Sequence, residues 1–170
     1  MQLRKIKIRI MKINELKICY KVRGHSELSP DEQALLKSAT EAATRAYAPY
    51  SHFRVGAALK LANGEILSGC NQENAAFPSG LCAERVTVFY ANAKYPDVAV
   101  NTLLITVLDE DGEYRGNPVP PCGACRQVLV ETESRQKTPM RVLLVGKDEV
   151  LEFDSASDLL PLIFSGNELL

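Results

Sequence analysis

Three of the chain's five cysteines fall in two short motifs, Cys82-Ala83-Glu84 and Pro121-Cys122-Gly123-Ala124-Cys125. Cys122 and Cys125 are three residues apart, so both thiols can face one point from a single helical turn. Each motif sits where a helix is predicted to start. A helix N-terminus carries partial positive charge, which lowers a thiol pKa and favours the thiolate. Three thiolates converging from two helix starts make a soft ligand set, and zinc is the expected metal, being redox-inert and well matched to sulfur. A structural zinc site normally takes four protein ligands, whereas a catalytic one takes three and keeps a position for water. These motifs supply three cysteines and add a carboxylate, Glu84, two residues after the first. Zinc lowers the pKa of a bound water from about 15.7 to about 7. An adjacent glutamate can then take the water's proton and return it to a substrate.

The competing reading is a closed structural zinc site, with Cys70 or His52 as fourth ligand, but it leaves Glu84 without a role. Cys70 is better read as a buried small hydrophobe beside the site, Cys19 as a plain thiol, and His52 as a loop residue rather than a general base.

The elements that must position these groups follow from pattern. Ser29-Pro30-Asp31-Glu32 combines a capping serine, a proline at the first helical position and a capping-box glutamate. Leu35, Leu36, Ala39, Ala42, Ala43 and Ala46 recur at helical spacing after it, and Pro49 stops the helix. Residues 55–61 read as a strand, Asn63-Gly64 as a tight turn and Ile66–Cys70 as the returning strand. A polar loop over 71–80 leads to a helix over 82–93. Further strands are expected at 103–108, Arg141–Val145 and Val150–Phe153. A helix is expected over 123–133, and a last one starting over 155–160. Helices alternating with strands predict an α/β fold of three layers, α/β/α, with a mixed five-stranded sheet covered by helices.

Composition bounds the rest. A chain of 170 residues, 46% apolar and 24% charged, suits one domain. No apolar run approaches the 18 or so residues that span a bilayer. At the N-terminus Ile6, Ile8 and Ile10 alternate with Lys5, Lys7 and Arg9, which does not make a secretory signal. A cytoplasmic, membrane-free protein is expected. The net charge of −1 hides an asymmetry. Residues 1–25 carry eight positive side chains and one negative, net +7, and residues 26–170 carry 12 positive and 20 negative, net −8. The chain therefore divides into a basic N-terminal arm, 1–25, read as one or two alternating strands or a loose segment, and a domain over 26–170. Met1 and Met11 are both candidate starts. The acidic body disfavours a nucleic-acid partner, whose binding needs Lys/Arg contacts to phosphates.

A Cys-x-Glu followed about 40 residues later by Pro-Cys-x-x-Cys is the zinc-deaminase signature, with Cys in place of the usual His. Beyond it, the stretches 47–59 (Tyr-Ala-Pro-Tyr-Ser-His-Phe-Arg-Val-Gly-Ala-Ala-Leu), 69–77 (Gly-Cys-Asn-Gln-Glu-Asn-Ala-Ala-Phe) and 121–127 (Pro-Cys-Gly-Ala-Cys-Arg-Gln) resemble cytidine deaminases of the small, homotetrameric class. So does Leu159-Leu160-Pro161 followed by Phe164. The resemblance covers about residues 29–166. It implies hydrolytic deamination of cytidine and 2′-deoxycytidine with release of ammonia, as in pyrimidine salvage. It also implies a small-molecule nucleoside substrate, one Zn²⁺ per subunit bound by Cys82, Cys122 and Cys125, and Glu84 as proton shuttle. Asn71 and Glu73 would bind the ribose hydroxyls, Phe53 would pack on the pyrimidine, and the Ala83 backbone would contact the base. Arg85 would donate hydrogen bonds to the ligand sulfurs, and Phe164 would reach a neighbouring subunit's site in a homotetramer. Arg54, Phe77 and Val86 depart from residues common in the family (Pro, Tyr and Thr), and Phe77 removes a hydroxyl near the nucleoside loop. Two rivals stand beside this reading: a deaminase of another substrate, such as a nucleoside-like antibiotic or a base in nucleic acid, and a non-enzymatic zinc protein.

Overall fold

The computed structural model describes residues 11–169. The part of the basic arm before residue 11, read as a strand or loose segment, lies outside the described residues.

The first helix, α1 (Pro30–Ala43), starts as its sequence dictates. The Ser29 hydroxyl accepts from the Glu32 amide, the Glu32 carboxylate accepts from the Ser29 amide, and Pro30 occupies the first position. Strand β2 (Arg54–Leu61) turns through Asn63-Gly64 into β3 (Ile66–Cys70), with Gly64 at φ +89° as this turn requires. Helix α2 (Ala83–Lys94), strand β4 (Val100–Leu108), helix α3 (Gly123–Gln136) and strands β5 (Arg141–Val145) and β6 (Val150–Phe153) follow.

The sheet is mixed. β4 and β5 run parallel, while β2–β3, β2–β4 and β5–β6 pair antiparallel. Its side chains sort by the two-residue period of a strand. On one face Ala58, Leu104, Leu143 and Val145 pack with Leu35 and Ala39 of α1. On the other, Ala57, Leu59, Leu103, Ile105, Val142 and Leu144 pack with Ala83 and Val88 of α2 and Leu129 of α3. The three-layer α/β/α expectation is therefore met. At Gly56 a Cβ would lie 1.9 Å from the Ala39 carbonyl oxygen, so the glycine is what lets α1 approach β2 this closely.

Two expectations need correction. The sheet has six strands, not five, because Lys21–Arg23 from the basic segment forms β1 and pairs antiparallel with β6. The reason is electrostatic as well as hydrogen-bonded. Arg23 lies 3.0 Å from Glu32 and 2.8 Å from Glu152, both buried carboxylates, and Arg141 closes the cluster from β5. Residues 11–20 run along the surface without helix or strand, with the Tyr20 ring stacked on Phe153. The second correction is at the C-terminus, where the helix expected from 155 is a single 3₁₀ turn, Ala156–Leu159. Pro161 disfavours a helical Leu160, which sits extended at φ −134°, ψ 95°.

Candidate active site

The two cysteine motifs meet where α2 and α3 begin on the same side of the sheet. Cys82 is the N-cap of α2 and Cys122 the N-cap of α3, and neither uses its side chain to cap its own helix. Cys125 lies in the first turn of α3, fully buried. The three sulfurs lie within 4.8 Å of one another, with Cys82 3.8 Å and Cys125 3.5 Å from Cys122. Among the described residues, neither Cys70 nor His52 joins this group. The Cys70 sulfur accepts from Gln72, and His52 is exposed on a loop beside Glu110.

The electrostatics favour anionic sulfur. Hydrogen bonding from Cys125, together with the Arg85 guanidinium 3.7 Å away, holds the Cys82 thiol down to about 5. Cys125, as donor in that shared pair and buried, is pushed up. Two helix N-termini add to the positive potential. Three clustered sulfurs free of disulfides and a neighbouring cation that offsets their charge fit a zinc ion.

Glu84, in the first turn of α2, is 4% exposed. Burial, followed by the charge of Cys82, pushes its carboxyl above the usual carboxylate range. It lines a cavity of about 380 Å³ together with Cys82, Cys122, Arg85, Phe53, Asn71 and Glu73. The size suits a small organic ligand.

The β2 entry loop and the loop after β3 are laced together. The Val55 amide donates to the Asn71 Oδ1 and the Asn71 amide donates to the Phe53 carbonyl, each at 2.8 Å. Glu73 accepts from the Tyr50 and Ser51 amides and from the Ser51 hydroxyl, which hold its carboxyl down. Asn71 and Glu73 thus both line the cavity and brace its wall. The Phe53 ring lies 5.1 Å from the Arg115 guanidinium. Phe77 also lines the cavity but is largely exposed, and Phe164 does not line it at all. Ala83 is fully buried at the start of α2.

Several supporting residues escape sequence reasoning. Ser51 and Arg115 set Glu73 and Phe53 from loops without a periodic signal. Glu133 of α3 accepts from the Met140 and Ala156 amides and the Ser155 and Ser157 hydroxyls, tying α3 to β5 and to the C-terminal turn. Nothing in its helical spacing marks it.

A buried carboxylate beside three thiols at paired helix starts, on the wall of an open cavity, defines a centre for metal-assisted proton transfer. Comparison with known proteins agrees. Residues 29–140 match the family described as cytidine and deoxycytidylate deaminase zinc-binding region. The cytidine deaminase of Halalkalibacterium halodurans is 37% identical over 139 residues, 82% of this chain and 98% of that one. That of Sporosarcina psychrophila is 39% identical over 139 residues, covering 82% and 95%. The crystal structure of cytidine deaminase from Burkholderia pseudomallei superposes with a TM-score of 0.64 at 39% identity, over 78% of this chain and 98% of its own. The chain belongs to this zinc-binding deaminase family.

Proposed function

We propose that the protein is a cytidine deaminase, hydrolysing cytidine and 2′-deoxycytidine to the corresponding uridines with release of ammonia, a salvage reaction. The observation that carries this is the placing of buried Glu84 on one cavity wall with Cys82 and Cys122, whose sulfurs cluster with that of buried Cys125. When bound by these thiolates, zinc supplies an activated water at neutral pH. Glu84 is the proton carrier: it takes a proton from water, delivers it to N3 of the pyrimidine, and assists departure of the amine. A carboxyl whose pKa burial has raised is suited to hold and return that proton. Arg85 offsets the thiolate charge. Phe53 packs against the pyrimidine, the Ala83 backbone meets the base, and Asn71 and Glu73 take the ribose hydroxyls while keeping their bracing bonds.

Phe164 serves a neighbouring subunit's cavity in a homotetramer. Its exposure, with that of Phe77, Tyr50, Phe89 and Tyr90, supports a self-associating surface. Residues 26–170 form the catalytic unit, with 1–25 an arm whose strand β1 is shared with it. Among the described residues no helix is long and apolar enough to cross a membrane. A cytoplasmic site is supported by the unpaired cysteines.

The test is an ultraviolet assay with cytidine, deoxycytidine and cytosine, with and without a chelator. Loss of absorbance with the two nucleosides, abolished by chelation, is expected. No change with any of the three defeats the reading.

A further inference from the structure

Arg126 and Gln127, immediately after the last cysteine of α3, point back from the metal turn to two different stretches of chain. The Arg126 Nε donates to the Pro121 carbonyl at 2.8 Å, and its Nη1 donates to the Leu159 carbonyl at 2.9 Å. Gln127 Nε2 donates to the Phe164 carbonyl at 2.9 Å. Pro121 is buried and directly precedes Cys122, whose backbone stands extended at φ −66°, ψ 165° as it enters the helix. The peptide that Arg126 grips is therefore the one whose plane orients Cys122. Cys122 is itself exposed and uses no side-chain capping bond; its carbonyl accepts from the Arg126 amide at 2.9 Å, and its sulfur meets those of the other two cysteines. On the other side, the chain from Leu160 to Ser165 carries no helix or strand, and Leu162 is almost fully exposed. The carbonyl of Leu159, just before this stretch, and that of Phe164 within it are held by these two side chains.

We infer that Arg126 is a positioning residue of the metal centre: one planar guanidinium clamps the Pro121 carbonyl, and so aims Cys122, while fastening the C-terminal segment to the same helical turn. Gln127 fastens the segment only. A guanidinium suits this task because its donors diverge in a fixed plane, whereas a lysine ammonium is a point charge on a flexible stem. Supports of this kind around a metal site typically change affinity or activity by about 10–100-fold when removed. The inference rests on Cys82, Cys122 and Cys125 being the metal ligands, and it does not depend on which nucleoside is the substrate.

The zinc-loaded full chain is mixed with a colorimetric chelator and the rate of zinc release followed, alongside amide exchange over residues 159–165. Arg126→Ala is expected to release zinc about 10–100-fold faster than the parent and to lose protection over 159–165. Gln127→Ala loses protection there but releases zinc at the parent rate. Arg23→Ala, which weakens the protein from the far edge of the sheet, measures what loss of stability alone does to release. If Arg126→Ala releases no faster than Arg23→Ala, or if Gln127→Ala accelerates release as much as Arg126→Ala does, the inference is overturned. Should Arg126→Ala fail to fold, Arg126→Lys replaces it, with release several-fold faster expected and a parental rate overturning the assignment. A parent chain that takes up no zinc would instead overturn the metal-site reading itself.

Discussion

Glu32 and Glu84 occupy comparable positions and have opposite properties. Each lies in the first turn of a helix that packs on the sheet, and they are 3% and 4% exposed. Burial pushes both carboxyls up. At Glu32 the Arg23 guanidinium, the Ser29 amide and hydroxyl and Arg141 outweigh burial and bring it from the ordinary 4.5 down to about 2. At Glu84 burial outweighs the backbone and Cys125 hydrogen bonds and the Arg85 charge that favour the anion, and the charge of Cys82 adds to burial, so the carboxyl stays raised. Glu32 is a saturated anion, surrounded by donors and fixed. Glu84 keeps bonding capacity facing a cavity. Similar solvent exposure and a place in the first helical turn thus give a structural anchor in one case and a proton carrier in the other. Glu84 is the more deeply enclosed of the two, and Glu32 has the Arg23 and Arg141 guanidinium groups, from distant strands, against its carboxylate.

The sharpest way to break this contrast is Glu84→Gln. It removes the proton-carrying group while keeping shape, so turnover should fall about 10²–10⁴-fold with zinc content unchanged by metal analysis. Turnover near the parental value would mean Glu84 is no more functional than Glu32. The converse change, Glu32→Ala, leaves Arg23 and Arg141 with Glu152 as their one remaining carboxylate partner among the described residues, in a half-buried cluster. It should cost about 3 kcal/mol of stability, a fall in Tm of roughly 6–12 °C, while the folded enzyme keeps its turnover at 25 °C. A matching loss of kcat would show that the two sites are not separable.

The pH dependence refines the same point. A folded-state pKa of about 2 against 4.5 unfolded means that Glu32 contributes stability, about 3 kcal/mol, that is fully present above pH 4.5 and lost as pH falls through 2. The stability difference between the parent and Glu32→Gln should therefore be flat from pH 5 to 8 and shrink below about 4.5. A difference that grew on acidification would contradict the ion cluster. The smallest effect is expected from removing residues 1–15, which precede the Tyr20 stack and β1. Zinc content, turnover and Tm should stay at parental values, and a loss of zinc would place the arm within the metal site's support.

Local chemistry made much of this legible in the sequence. Ser29-Pro30-Asp31-Glu32 specified the start of α1 because capping is satisfied within four residues. Asn63-Gly64 marked its turn because the positive φ at Gly64 is one that other residues rarely adopt. The cysteine spacing specified the sulfur cluster because three residues make one helical turn. The resemblance to deaminases added the substrate-side residues, which spacing alone does not mark.

The tertiary structure decided what depends on partners far apart in sequence. The basic arm read as an appendage because its charge stands out locally. Its residues Lys21–Arg23 belong to the sheet, where Arg23 joins Arg141 in pairing two buried glutamates, at 32 and 152. Arg126 carried no role of its own in the sequence; its partners, Pro121 and Leu159, lie five residues before it and 33 after it and meet its two donors only in the fold. Composition and spacing identify groups able to do chemistry. Whether a buried carboxylate is neutralised by donors or left to carry a proton is set by side chains that only the folded chain brings within hydrogen-bonding distance.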